Sequence, residues 1–286
     1  MSLMAVKVVT DSTSDIGPEL AQELNIRIVP IYVRFDSEVY RDGIDITKDE
    51  FYKRLTSSPV HPTTSQPSPE DFIHAFEECS EGFDGVVSIH ISSKISGTYN
   101  SALLAKENLN SGIPIEVIDS MFNSAGLWLV VTAAARSAQS GAPMAAVVEE
   151  ARRAVNQVRM FGMFETMKYL ARGGRLSKTV AEASSILHVR PLLTFRDGEI
   201  IRAGLVRTVS GGMDRMCDFV SKNLPASEVT IAHSIVPDQA QILKSRLAQL
   251  VPDERINIAE LGTALGVHGG PGVLVLALRH LESGDQ

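Results

Sequence analysis

Short runs of β-branched residues recur along the chain, each closed by a polar or hydroxyl-rich turn and followed by apolar positions at helical spacing. Ala5-Val6-Lys7-Val8-Val9-Thr10 ends in Asp11-Ser12-Thr13-Ser14-Asp15, after which Pro18 opens a helical pattern through Leu20, Ala21 and Leu24. Ile26 to Val33 predicts the next strand, and Phe83 to Ile91 and Ile115 to Asp119 two more; helices are expected after Ser68-Pro69 and from about Gly97 to Leu109. Strands alternating with helices imply a parallel sheet, and such sheets collect ligands beyond the carboxyl ends of their strands. Asp11, Ser92 to Ser96 and Asp119 all fall at those ends.

A helix-rich stretch follows from Asn123 to Val158, with Ala133-Ala134-Ala135 inside a helix and Gly141 at a stop. Later, Leu192 to Ile201 predicts a hairpin on the Asp197-Gly198 turn, Val229 to His233 and Val273 to Leu278 predict strands, and Pro237 to Leu250 a helix. The expected architecture is α/β with two domains, an N-terminal parallel-sheet domain over residues 1–157 and a C-terminal mixed α/β domain over residues 158–286. A chain of 286 residues suits two medium cores.

Composition narrows the function classes. With 44% hydrophobic and 21% charged residues the chain has ample apolar material for a core. A net charge of -7 lacks the basic surplus that nucleic-acid binding demands. Cys79 and Cys217 have no metal-ligand spacing and read as inert thiols of a reducing compartment. No apolar run reaches the length of a membrane span, so a cytoplasmic location is expected.

Three segments carry candidate chemistry: Thr63-Thr64-Ser65-Gln66-Pro67-Ser68, Ser92-Ser93-Lys94-Ile95-Ser96-Gly97-Thr98, and His268-Gly269-Gly270-Pro271-Gly272. They offer hydroxyls, backbone N–H groups and one imidazole, the neutral donors that suit a carboxylate. Each also has a plainer explanation. Ser68-Pro69-Glu70-Asp71 is a helix start with Ser68 as cap and Asp71 reaching back. Ser96 is an ordinary cap, though free N–H groups at such an end bind anions and Gly97 lets a ligand approach closely. The glycines after His268 make a sharp bend. Lys168 and Arg172 share a helical face before Gly173, with Arg175 just beyond, and either complement the helix dipole or form an electropositive lip.

Taken together, Asp11 to Asp15, Thr64 to Ser68, Ile91-Ser92-Ser93 with Ser96 to Tyr99, Glu165 to Arg175 and His268 to Gly272 resemble the DegV proteins, a family of bacterial fatty-acid-binding proteins that includes lipid-carrying subunits of fatty acid kinase. The resemblance implies a fatty acid held between the two domains, with its acyl chain in an apolar tunnel and its carboxylate near the opening. It assigns the carboxylate to Thr64, Ser96 and His268, flanked by Ser65, Gly97, Thr98 and Gly269. Arg207 matches an arginine of the head-group side or of partner docking, and Arg172 and Arg175 lie in a shared motif. It further implies a non-catalytic carrier that presents its lipid to a separate ATP-dependent kinase subunit, with no cofactor beyond the bound fatty acid. The absence of G-x-x-x-x-G-K-[ST] and of G-x-G-x-x-G after a strand agrees with that. Nothing in the chain requires more than a monomer. Two rivals stand beside this reading: a serine hydrolase of acyl esters using Ser96 with His268 as base, which lacks a G-x-S-x-G elbow, and a sensor module for a small metabolite.

Overall fold

The computed structural model describes residues 6–109, 112–175 and 189–281. The chain begins with β1 (Val6–Asp11), α1 (Pro18–Glu23), β2 (Ile26–Val29), β3 (Tyr32–Phe35), β4 (Glu38–Arg41), α2 (Lys48–Ser57) and β5 (Thr63–Ser65). Then come α3 (Pro69–Ser80), β6 (Gly85–His90), α4 (Thr98–Asn108), β7 (Ile115–Asp119), α5 (Ser124–Gln139), α6 (Met144–Gln157), β8 (Val158–Met163) and α7 (Lys168–Arg172). The rest of the described chain forms β9 (Arg190–Arg196), β10 (Glu199–Val206), α8 (Val209–Lys222), β11 (Ala226–His233), α9 (Pro237–Leu247), β12 (Ile256–Glu260), α10 (Thr263–Gly269) and β13 (Leu274–His280).

Strands β2-β1-β6-β7 make a parallel four-stranded sheet, and β10-β9-β8-β13-β11-β12 a mixed six-stranded one. A small antiparallel sheet, β4-β3-β5, stands apart from both. The α/β class read from the alternation is what the chain adopts. Two details differ. The apolar run from Ile26 to Val33 is two strands in two sheets, because Pro30 supplies no N–H and interrupts the ladder. Thr63 to Ser65 forms a strand rather than a loop, with Thr64 registered against Val33. The hairpin turn is as expected, with Asp197 and Gly198 at φ 51° and 80°.

Helix α5 explains how the two larger sheets share one interior. Every residue from Ser124 to Ala135 is buried, the pattern of a helix enclosed on all sides. Its Leu127, Val130 and Val131 belong to one apolar cluster with Val87 and Ile89 of the parallel sheet and Met160, Val275 and Ala277 of the mixed sheet. The outer face of the parallel sheet is covered by α3 and α4 through Phe72, Phe76 and Ala102. The outer face of the mixed sheet is covered by α8 and α9 through Met216, Val220, Leu243 and Leu247. The layers therefore run helix, sheet, helix, sheet, helix.

Candidate functional site

Where β1 and β6 end, a buried carboxylate organises the turns. Asp11 accepts the Thr13 N–H and the Ile91 N–H, each at 3.0 Å, and the Thr13 hydroxyl as well. It also faces His90 Nδ1 at 3.0 Å, and His90 Nε2 lies 2.6 Å from Ser88 Oγ. Ser88, His90 and Asp11 thus have the connectivity of a hydrolytic triad, yet each has 0% exposure. With no route for a substrate, the array acts as a strut that holds Thr13 and Ile91 in place.

Those two residues help to wall a cavity of about 290 Å³ between the carboxyl edge of the parallel sheet and the face of the mixed sheet, near the small end of ligand sites, which run from about 300 to 1,000 Å³. Most of its wall is hydrocarbon, including Phe164, Leu193, Phe195, Leu265, Val273 and Val275. The expected carboxylate residues Thr64, Ser65, Ser96, His268 and Gly269 all line it, as do Gln66 and Arg175. Thr64 comes from β5 and His268 from the last turn of α10, and their Oγ1 and Nε2 atoms are 2.8 Å apart. His268 is therefore helical rather than part of a turn. The bend follows it, at Gly270 and Gly272, with φ 74° and 78°.

Burial, then the positive charges of Arg175 and His61, push the His268 imidazole down to about 4, so it is neutral near pH 7. Its Nδ1 is buried without a hydrogen-bond partner among the described residues. Gly173 packs against the ring so closely that a Cβ there would fall 2.0 Å from Nδ1.

Around Ser96 the local geometry departs from expectation. Gly97 is the N-cap of α4 and lacks a side-chain cap, while Ser96 Oγ accepts the Thr98 N–H at 3.3 Å and lies 2.8 Å from Thr98 Oγ1. No hydrogen bond joins Ser96 to His268, so the nucleophile and base of the hydrolase reading are not paired. The room that Gly97 leaves is filled by Gln66, whose amide would lie 2.5 Å from a Cβ at that position. Thr98 is buried off the cavity.

A second, polar hollow of about 370 Å³ adjoins the first, sharing Ile95, Ser96, Arg175 and Ile200 with it and adding Lys94, Gly97 and Glu199. Ser96 and Arg175 thus stand at the junction of the apolar and polar spaces. Arg172 and Arg207 are exposed, line neither space and have no salt-bridge partner among the described residues. Thr13, Gln66 and Asn123, which were not among the expected carboxylate residues, also line the cavity. Thr13 follows a strand end and Gln66 lies in the hydroxyl-rich Thr63–Ser68 segment, whereas Asn123 had no sequence signal beyond a helix start. Among the described residues no group of three or more His, Cys, Asp or Glu is arranged to hold a metal ion, and no helix is long and apolar enough to cross a membrane.

Comparison with known proteins places this geometry. The family profile described as "Uncharacterised protein, DegV family" matches residues 5–280. A DegV domain-containing protein of Caldanaerobacter subterraneus is 35% identical over 269 residues, which cover 93% of this chain and 95% of that relative. Among solved structures, a DegV family protein from Thermus thermophilus, described by its fatty acid binding, superposes with a TM-score of 0.89 at 32% identity, over 97% of this chain and 100% of the other. A stearic-acid-binding protein from Eubacterium ventriosum superposes with a TM-score of 0.86 at 28% identity, over 96% and 98% of the two chains. By sequence and by fold alike, the chain belongs to the DegV family.

Proposed function

We propose that this protein binds a long-chain fatty acid, with the acyl tail in the cavity and the carboxylate among Thr64, Ser96 and His268, and presents it to a separate ATP-dependent kinase subunit. The observation that carries the reading is the Thr64–His268 pair, neutral polar groups in a hollow whose wall is mostly aliphatic and aromatic. Solved relatives described as fatty-acid binders support the same ligand class.

The physics favours this orientation. Each buried methylene contributes about 0.8 kcal/mol, so roughly fourteen give a gross term near 11 kcal/mol before association costs. Hydrogen bonds to a charged acceptor contribute about 1.5–3 kcal/mol each but largely replace bonds to water. The tail therefore supplies affinity and the head-group residues fix direction. A carboxylate pushed head-first into the hydrocarbon would incur roughly several kcal/mol of desolvation.

Denaturing the purified protein and identifying what it releases by mass spectrometry tests the ligand. A fatty acid near one equivalent is expected, and a polar metabolite or an empty protein would overturn the reading. The kinase step has its own test. Thr64→Ala with Ser96→Ala should lower phosphoryl transfer by the partner more than lipid retention, and charge reversal at Arg172 or Arg207 should weaken transfer while the lipid still copurifies. Equal loss in the first case, or unchanged turnover in the second, counts against presentation.

A further inference from the structure

Asn123 is the N-cap of α5, a position where an asparagine side chain ordinarily accepts a backbone N–H from the first turn. Here it makes no such bond, and it lines the cavity instead. Its amide has no hydrogen-bond partner among the described residues. Ser124, the next residue, begins the helix at φ 45°, a left-handed conformation uncommon for a residue with a Cβ. That conformation is held where the Ser124 hydroxyl donates to Asp15 at 2.5 Å. Thr13 lines the same cavity, and its hydroxyl donates to Asp11. The Thr13 hydroxyl thus commits its proton to the Asp11 carboxylate and can offer only an oxygen lone pair inward, whereas the Asn123 amide can still donate.

Thr13, Asn123 and Ser124 come from the turns after β1 and β7, and no hydrogen bond links them to Thr64, Ser96 or His268. They add polar groups, not hydrogen-bonded to Thr64, Ser96 or His268, to a wall that is mostly hydrocarbon. A plain alkyl chain passing these groups strips water from the Asn123 amide and returns nothing. A hydroxyl on the chain matches it, donating to Thr13 or Ser124 oxygen and accepting from the Asn123 amide nitrogen.

We infer that the cavity selects an acyl chain bearing a hydroxyl group, with Asn123 as the residue that determines this specificity. The inference rests on the fatty-acid reading above. Native mass spectrometry of the full chain in mixtures of stearic acid with hydroxystearic acids, the hydroxyl in the near, middle or far part of the chain, tests it. At least one hydroxystearate should outcompete stearate by about tenfold, as one uncompensated buried polar group would dictate. In Asn123→Leu, stearate should bind several-fold tighter and that hydroxystearate about tenfold weaker. If stearate matches or exceeds every hydroxy acid in the wild-type protein, the inference falls while fatty-acid binding stands. If none of the acids binds, both fall. The wild-type preference decides the matter even if the variant does not fold.

Discussion

Asp15 and His268 pull the stability of the protein in opposite directions with pH, and both belong to the region around the cavity. Burial pushes the Asp15 carboxyl up to about 7, against the pull of the Ser124 hydroxyl, the Gly262 N–H at 2.7 Å and the charge of Lys48. An unfolded aspartate titrates near 4, so the folded chain holds this proton more tightly. Its stabilising effect is complete below about pH 4 and is lost as pH rises through about 7. Histidine 268 has the reverse sign. Held down to about 4, it contributes stability above its unfolded value of about 6.5 that disappears as pH falls through 4. Between about pH 5 and about pH 8 each effect amounts to about 2–3 kcal/mol, so in the wild-type protein they largely cancel. Asp15→Asn can keep its contacts, with Oδ1 accepting from Gly262 and the amide donating to Ser124. Urea unfolding of that variant should show stability falling toward acid, and His268→Gln should show it falling toward alkali. Curves for both variants that run parallel to the wild type would reject these two assignments.

At the scale of elements, the proposed head-group site depends on how closely α7 approaches α10, and Gly173 sets that distance. A methyl group there would sit 2.0 Å from His268 Nδ1 and 2.8 Å from Cε1, so the ring or the helix must move. Gly173→Ala should break the Thr64–His268 bond and destabilise the fold by about 1–3 kcal/mol, as overpacking does. The freed imidazole should titrate closer to 6.5 in an NMR experiment; a ring that still titrates near 4 would show that the contact gives way elsewhere. This helix pair also shows what could and could not be read from residues alone. The α7 stop at Gly173 and the capping box of Ser68 with Asp71 were legible because local geometry dictates them. Helix α10 was not, because His268 and Gly269 stand before a Gly-Pro-Gly bend and a helix so rich in small residues carries no amphipathic period. Strand β5 was hidden for a related reason. Thr-Thr-Ser has no apolar member, and its pairing with β3 is decided by a partner about thirty residues away. The cavity itself had no sequence signature: Leu193, Val273 and Val275 resemble any core strand residues, and only the separation of the sheets distinguishes a lined hollow from a packed core.

At the scale of the molecule, the division expected at residues 157 and 158 meets a feature of packing that bears on how the chain unfolds. Strand β8 begins at Val158 and enters the mixed sheet, yet α5, earlier in the chain, lies in an apolar cluster with side chains of both sheets. Salt bridges span the same division: Arg136 of α5 reaches Glu228 of β11 at 2.7 Å, and Glu150 of α6 reaches Arg279 of β13 at 2.7 Å. Asp15 and Asp42 add buried bonds to the backbone of Gly262 and Thr263, at 2.7 and 2.8 Å. Cutting at 157 would expose the side of α5 that faces the mixed sheet and would leave Gly262 and Thr263 without their acceptors, an opening of the interior far beyond what a marginally stable fold tolerates. Calorimetry of the whole chain should therefore give one cooperative transition, with residues 6–157 and 158–281 each failing to fold when expressed separately. The cavity lies between the same layers, so a fatty acid bound there should stabilise the whole unit at once. At a hundredfold excess over Kd the gain is about 2.7 kcal/mol, and the single peak should move up by roughly 4–5 °C. Two resolved transitions, only one of them moved by the fatty acid, would mean that the halves are independent and that the lipid is held by one of them rather than between both.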